Sequence, residues 1–193
     1  MIIGITGGTG CGKTTLLHVI REQGGIVLDC DEIYHRLLQT DTDLLAAIEA
    51  RFPGTVENGA LQRKKLGAIV FADKAALKDL SRITYRFILP AIEKELSQPG
   101  DLKAIDAIGL FEGKLDRLCD VTVAVTAPEE CRIARLMARD QISEEYARSR
   151  IAAQKPQSEF AAACDQILVN DGTQQEFQDK CLAFLAGLDI IIK

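Results

Sequence analysis

A glycine-rich segment near the start of the chain has the residue types and spacing of a phosphate-binding loop. Residues 7–14 read Gly-Gly-Thr-Gly-Cys-Gly-Lys-Thr, a full match to G-x-x-x-x-G-K-[ST]. In such a loop the backbone N–H groups surround nucleotide phosphates, the lysine reaches the β- and γ-phosphates, and the Ser/Thr hydroxyl binds Mg²⁺. The predicted contacts to a nucleoside triphosphate come from Gly8, Thr9, Gly10, Cys11, Gly12, Lys13, Thr14 and Thr15, with Thr14 on the metal.

Two aspartates, Asp29 and Asp31, lie at the carboxyl end of a predicted strand at residues 26–30. Ligands of open α/β sheets bind beyond the carboxyl ends of the strands. Alternation along an extended segment would point both carboxylates the same way. One could then orient or deprotonate an acceptor hydroxyl, while the other binds metal-bound water or a cation. The alternative, in which one aspartate only caps the following helix, stays open.

A group of arginines predicts a second phosphate-binding element. Arginine binds phosphate oxygens bidentately, so two short arginine-rich helices suit a lid that closes over a triphosphate. Arg135 and Arg139 are spaced i,i+4 and are expected to share a helix face. The alternative is a solvated charged face paired with neighbouring glutamates. The arginines in question are Arg132, Arg135, Arg139, Arg148 and Arg150.

The elements that must position these residues follow from the pattern of the whole chain. Strand-like and helix-like segments alternate, which predicts a P-loop NTPase-type α/β fold with three α/β/α layers and a five-stranded parallel sheet. The predicted strands are 1–6, 26–30, 102–111, 121–125 and 166–169. The predicted helices are 15–20, 31–38, 44–52, 61–70, 75–96 (broken or kinked near Pro90), 129–139 (opened by a capping box at Thr126), 143–155 and 174–185.

Composition restricts the partners. A net charge of −5 and 5% aromatic residues argue against nucleic acid and anionic membranes as partners. No apolar run approaches the ~18 residues of a membrane span, and the N-terminus does not read as a signal peptide. The six cysteines lack metal-site spacing, which favours free thiols in a reducing cytoplasm. Cys11 lies beside Lys13 and a helix N-terminus, a position that favours a thiolate, but the preferred interpretation is a small residue that fits the loop.

Motifs along most of the chain resemble those of the dephospho-CoA kinase family, which performs the last step of coenzyme A synthesis. Their order and near-correct spacing make the set more specific than any single motif. The matching segments are the loop 4–15, the Asp-Cys-Asp at 29–31, the segments 59–63 and 70–71, the Leu-Phe-Glu at 110–112, Arg135 with Arg139, the segment 150–154, Asp165 and the segment 170–172.

This resemblance implies transfer of the ATP γ-phosphoryl group to the 3′-hydroxyl of the ribose of dephospho-CoA. It implies one kinase domain over residues 1–193, with an acceptor-side helical region at about 31–98 and a lid at about 132–160. The expected catalytic residues are Asp31, Lys13, Arg135 and Arg139. The expected acceptor contacts are Asp29, Asp31, Arg63 and Glu112, and Asn170 is expected to contact the nucleotide. ATP, Mg²⁺ and the small-molecule acceptor are the expected ligands, with no nucleic acid, membrane or obligate protein partner.

Two departures from the family pattern lie on the presumed acceptor side. The family's His-Pro falls on Tyr85-Arg86, or on Leu89-Pro90 with a one-turn insertion, so the histidine is absent in both alignments. The family's Pro-Leu is replaced by Ile108-Gly109. Two alternatives therefore stay open. One is a P-loop kinase for another hydroxyl acceptor, such as a nucleoside monophosphate, a sugar acid or shikimate. The other is a nucleotide-binding regulator without turnover.

Overall fold

The computed structural model describes residues 1–191, with side chains for residues 1–188. In that part of the chain the strands are β1 (Ile2–Thr6), β2 (Ile26–Asp29), β3 (Val56–Glu57), β4 (Ala60–Leu61), β5 (Lys103–Asp106), β6 (Val121–Thr126) and β7 (Gln166–Val169). The helices are α1 (Lys13–Glu22), α2 (Cys30–Thr40), α3 (Thr42–Arg51), α4 (Arg63–Ala72), α5 (Lys74–Leu96), α6 (Glu129–Asp140), α7 (Glu144–Ala152), α8 (Gln157–Ala163) and α9 (Gln174–Ile191).

The main sheet has five strands in the order β2-β5-β1-β6-β7. Strand β1 pairs in parallel with β5 and β6, and β6 pairs in parallel with β7. Ile3 and Ile5 of the central strand are fully buried, as expected for a strand covered on both faces. Helices α1 and α9 pack together and contact β5 and β7, respectively, while α8 contacts β6. The predicted three-layer α/β fold with a five-stranded parallel sheet is confirmed.

The chain forms two compact units. The first comprises Met1–Val27 and Gly100–Lys193 and contains the main hydrophobic core. The second, Leu28–Pro99, covers the residues for which the sequence predicts an acceptor-side helical region. The core of this second unit is built from apolar residues of α2 to α5, including Leu44, Ile48, Phe52, Leu66 and Val70.

Local signals explain how the second unit is assembled. The Asp41 carboxylate caps α3 by accepting hydrogen bonds from the N–H groups of Asp43 and Leu44, both at 3.0 Å. Asn58 and Gly59 have φ angles of 51° and 74° and connect β3 to β4. Two successive positive φ angles are typical of a tight hairpin turn, so these two residues close a short antiparallel hairpin.

The structure corrects the predicted third strand, which is too long. Strand β5 ends at Asp106, and the chain then forms turns and a 3₁₀ helix at Leu115–Leu118. The N–H of Leu115 donates to the carbonyl of Leu110 at 2.9 Å, and both side chains are fully buried. The apolar run is therefore buried by a compact turn rather than by a strand.

Three further predictions are wrong in detail. Thr126 is the last residue of β6 and forms no capping box, because α6 starts at Glu129 after Pro128. The single helix predicted at 143–155 is α7, which ends at Ala152, and the sequence prediction missed α8. Helix α5 continues through Pro90, so it is not broken there, and the kink given as the other possibility stays a prediction. None of the described helices is both long and apolar enough to span a membrane.

Asp165 joins the start of β7 to β6 through hydrogen bonds. Its Oδ2 accepts from the N–H of Thr122 at 2.8 Å and from the Thr122 hydroxyl at 2.6 Å, and these bonds lower the pKa of Asp165. A carboxyl whose folded pKa is lowered stabilises the fold above its unfolded pKa, and this contribution is lost as pH falls through the folded pKa.

We expect Asp165→Asn to lower the free energy of unfolding by about 1 kcal/mol near neutral pH, because the amide replaces a charged hydrogen-bond acceptor. The difference from wild type should shrink as pH falls below about 4. Urea unfolding at neutral and acidic pH measures both effects. A difference that does not change with pH would contradict the role assigned to this carboxylate.

Candidate active site

The glycine-rich loop connects the end of β1 to the start of α1. Gly12 immediately precedes the helix and has a φ of +96°. A Cβ atom at this position would lie 2.1 Å from Nδ2 of Asn170, so the loop requires glycine there for both conformation and space. No side-chain cap occupies the start of α1. The first backbone N–H groups of a helix have no intrahelical partner and can face an anion, except here that of Thr15, which donates to the Gly12 carbonyl.

Lys13 folds back over the loop. Its Nζ donates to the carbonyl of Gly7 at 2.9 Å, which places the cation at the β1 end of the loop. Thr14 is exposed in the first turn of α1, and Thr15 donates its N–H to the carbonyl of Gly12 at 3.0 Å. The predicted nucleotide contacts from Gly8 to Thr15 therefore lie on one loop and at the start of one helix.

The described residues include no cluster of three or more His, Cys, Asp or Glu side chains that could hold a metal ion by itself. Asp106 ends β5 beside Ile5 of β1 and was missed in the sequence analysis. The signal for it was a carboxylate directly after the apolar pair Ala104-Ile105.

Asn170 and Arg135 stabilise the glycine-rich loop through hydrogen bonds to its backbone carbonyls. Asn170 is buried, and its Nδ2 donates to the carbonyl of Cys11 at 2.9 Å. Its Oδ1 accepts from Arg135 Nη2 at 2.9 Å. Arg135 Nη1 also lies 3.4 Å from the carbonyl oxygen of Gly10. The structure therefore brings both predicted residues to the loop, where both are bonded to protein atoms.

Cys11 is fully buried within the loop. Its Sγ donates to Oε1 of Gln157 at 3.3 Å. Burial raises the pKa of the Cys11 thiol, although Arg132 and Lys13 act in the opposite direction. Burial therefore opposes a thiolate, and the preferred interpretation of Cys11 as a small residue that fits the loop agrees with the structure.

Gln157 was missed in the sequence analysis. Its side-chain amide donates to the carbonyl of Ala127 and accepts from the N–H of Ala127, both at 2.8 Å. These two bonds connect the start of α8 to the residue that follows β6. No sequence signal distinguished it, because a glutamine after a proline is common on protein surfaces.

Other arginines of the predicted lid are held by carboxylates. Arg139 bonds to Asp140 at 2.7 and 2.9 Å, and its side chain is 59% exposed. Arg150 also pairs with Asp140, and the hydrogen bond from Arg139 is the main reason that the pKa of Asp140 lies well below its ordinary value. Arg148 pairs with Glu129, Glu130 and Glu144. The structure thus brings Arg135 to the loop but not Arg139, whose catalytic role stays a prediction.

Glu112 lies in the turns that follow β5. It forms an ion pair with Lys155, which lies between α7 and α8. Both residues line a cavity of about 350 Å³ together with Ile108, Phe111 and Phe160. This predicted acceptor contact is therefore linked to the predicted lid.

In the second unit, Asp29 is a helix cap. Its Oδ1 accepts from the N–H groups of Asp31 and Glu32 at 2.8 and 3.2 Å. Asp31 lies in the first turn of α2 and is exposed. The expected strand-like alternation of the two carboxylates is therefore wrong, because the helix already begins at Cys30.

Arg63, the first residue of α4, is exposed. Its charge acts on Tyr34. Burial raises the pKa of Tyr34, and the Thr84 hydrogen bond and the Arg63 charge oppose this rise without cancelling it. Tyr34 lies one turn after Asp31 on α2, so the charge of Arg63 acts on the helix that carries the predicted catalytic acid.

Comparison with known proteins decides the family. The family model described as dephospho-CoA kinase matches residues 1–176. The chain belongs to the dephospho-CoA kinase family. The dephospho-CoA kinase of Syntrophotalea carbinolica is 34% identical, over 97% of this chain and 92% of that protein.

Solved structures agree with this family assignment. The crystal structure of TT1252 from Thermus thermophilus has a TM-score of 0.81 and 33% identity, covering 97% of each chain. The dephospho-CoA kinase of Campylobacter jejuni has a TM-score of 0.67 and 25% identity, over 97% of this chain and 96% of that one. The resemblance drawn from the sequence motifs is confirmed.

Proposed function

We propose that this protein transfers the γ-phosphoryl group of ATP to the 3′-hydroxyl of the ribose of dephospho-CoA, giving coenzyme A and ADP. Family membership over residues 1–176, together with an intact phosphate loop, carries the proposal. Phosphoryl transfer depends mainly on positioning and charge neutralisation, so the roles of the residues follow from where cations and carboxylates lie.

The donor half of the reaction belongs to the first unit. The loop amides from Gly8 to Thr15 bind the phosphates, and Lys13 exchanges its bond with the Gly7 carbonyl for the β- and γ-phosphates. Arg135 keeps the loop in place and contributes positive charge, and Arg139 reaches the phosphates only after it leaves the Asp140 carboxylate. Asn170 stabilises the loop that binds ATP through its hydrogen bond to the Cys11 carbonyl.

Magnesium fits the loop residues as a bound partner of the nucleotide. Thr14 would supply a hydroxyl ligand to the ion, and Asp106, at the end of the neighbouring strand, would supply a carboxylate. When bound, the ion neutralises charge on the phosphate oxygens.

The proposed acceptor-side residues are Asp29, Asp31 and Arg63 of the second unit and Glu112 in the turns after β5. Asp31 orients the ribose hydroxyl and takes its proton as the new P–O bond forms. Asp29 fixes the start of the helix that carries Asp31. Arg63 and Glu112 contact the acceptor, with Glu112 released from Lys155 when it does so.

We further propose that the protein works in the cytoplasm. All six cysteines are free, which suits a reducing compartment that supplies ATP. The expectation that it has no nucleic-acid, membrane or obligate protein partner stays a prediction.

Acceptor-dependent release of ADP tests the proposed reaction. A coupled assay with dephospho-CoA, a nucleoside monophosphate, a sugar acid and shikimate should give ADP release with dephospho-CoA at a rate that exceeds every other acceptor. Preference for another acceptor would identify a different small-molecule kinase, as the absent histidine at residues 85–86 allows. Saturable ATP binding without release on any acceptor would favour the regulator.

A further inference from the structure

Arg132 is a buried arginine whose guanidinium lies against the phosphate loop. The residue is 3% exposed, and its Nε donates to the carbonyl of Thr9 at 2.9 Å. Its Nη2 is also buried and has no hydrogen-bond partner among the described residues. A guanidinium cannot lose its proton, and a buried donor without an acceptor is costly. This donor therefore indicates an acceptor that arrives from outside the protein.

The position of Nη2 indicates which part of a nucleotide would meet it. A Cβ atom on Gly8 would lie 2.6 Å from Nη2, so Nη2 occupies the space beside Gly8 and a larger residue there would displace it. Lys13 Nζ lies on the carbonyl of the adjacent Gly7, and this lysine is the group that reaches the β- and γ-phosphates. The Gly7–Gly8 end of the loop is thus the end of the terminal phosphate.

An oxygen of the protein already occupies this corner. Gln154 Oε1 accepts a hydrogen bond from the Thr9 N–H at 2.7 Å, and it would lie 3.2 Å from the same Cβ on Gly8. A phosphate oxygen in its place would satisfy the Thr9 N–H and would also give Arg132 Nη2 an acceptor. The oxygen of Gln154 thus stands where a phosphate oxygen is needed.

We propose that Arg132 binds the γ-phosphate of the donor nucleotide through Nη2, displacing Gln154 Oε1 from the Thr9 N–H. Arg132 is then a second cationic ligand of the triphosphate beside Lys13, and it selects ATP over ADP. This inference rests on the donor half of the proposed function and does not depend on the acceptor.

The alternative is that Arg132 only braces the loop through the Thr9 carbonyl. The two roles differ in what they do to ADP, which lacks the γ-phosphate. Loss of a residue that only stabilises the loop would lower the affinity for both nucleotides alike. Loss of a γ-phosphate ligand would lower the affinity for the triphosphate alone. Nucleotide binding without acceptor therefore separates them.

The experiment is calorimetric titration of Mg²⁺-ADP and of a Mg²⁺-bound, non-hydrolysable ATP analogue into wild type, Arg132→Met and Arg132→Lys. If Arg132 makes a charge-assisted hydrogen bond to the γ-phosphate, Arg132→Met should lower the affinity for the analogue by about tenfold or more. The affinity for ADP should change by less than about threefold. Arg132→Lys keeps the charge but cannot hold Thr9 and the phosphate together, so it should lose selectivity in the same direction. Arg21→Gln, which removes an exposed arginine at the end of α1, is the matched control and should bind both ligands as wild type does.

Thermal unfolding of the ligand-free variants accompanies the titrations, since Arg132→Met also removes a buried unpartnered donor and should melt within a few degrees of wild type. Equal weakening of analogue and ADP, or no weakening of either, would overturn the proposal for Arg132 while leaving the proposed function intact. Should Arg132→Met fail to fold, unchanged selectivity in Arg132→Lys would overturn it as well. Failure of wild type to bind either nucleotide would overturn both proposals.

Discussion

Replacing Lys13 with alanine should reduce phosphoryl transfer by at least about a thousandfold, to the background of the assay. Removing one preorganised donor from a developing oxyanion costs about 10²–10³ in kcat, and Lys13 is expected to act on both the β- and γ-phosphates. Its Nζ already lies over the loop, on the Gly7 carbonyl, and no other side chain of the loop carries a positive charge. Steady-state assays with saturating Mg²⁺-ATP measure the loss.

A surface lysine provides the matched control for this variant. Lys78 is exposed on α5, and Lys78→Ala should keep wild-type activity. Thermal unfolding checks that Lys13→Ala remains folded, because the variant loses only one hydrogen bond to the loop backbone. A folded Lys13→Ala protein with near wild-type kcat would show that the loop does not carry the donor.

Replacing Asp31 with asparagine should lower kcat by about 10²–10⁴ and leave ATP affinity within about threefold of wild type. The amide keeps the size of the carboxylate but cannot accept the proton of the acceptor hydroxyl. The start of α2 should be preserved, because Asp29 and not Asp31 caps this helix. Rapid-quench measurement of transfer and calorimetric titration of an ATP analogue separate the rate from binding.

Glu32 is the matched control, since it is an exposed acid in the same helical turn. Glu32→Gln removes the same charge from the α2 N-terminus and should change kcat by less than about threefold, because it leaves the proposed base in place. If both substitutions slow the enzyme equally, the effect comes from the negative charge at the start of α2 and not from a specific base. If Asp31→Asn turns over normally, Asp31 is not the base.

The fold was predictable where each segment carries its own signal. Gln166–Val169 is a short apolar run between turns, and it became β7 with the predicted limits. The segment after Asp106 was not predictable in this way, because Leu110 looks like a strand residue whether a strand or a turn buries it. Helix α8 has seven residues, too few for a helical period to stand out from the sequence.

The site was predictable where a motif fixes the backbone and not where burial decides the role. The loop from Gly7 to Thr14 follows from its pattern alone. Arg132 and Arg139 look equivalent in the sequence, yet one is buried against the loop and the other bonds to Asp140. Arg132 lies one turn before the buried Leu136, and this helical spacing was the available signal.

The position of the transferred phosphate tests the central claim most directly. Purified protein is incubated with Mg²⁺, dephospho-CoA and ATP labelled in its γ-phosphate, and the product is analysed by mass spectrometry and phosphorus NMR. We expect the label on the 3′-oxygen of the ribose, with one ADP formed for each coenzyme A. Label that stays in ATP, appears as free phosphate, or enters another position of the acceptor would contradict the proposed reaction.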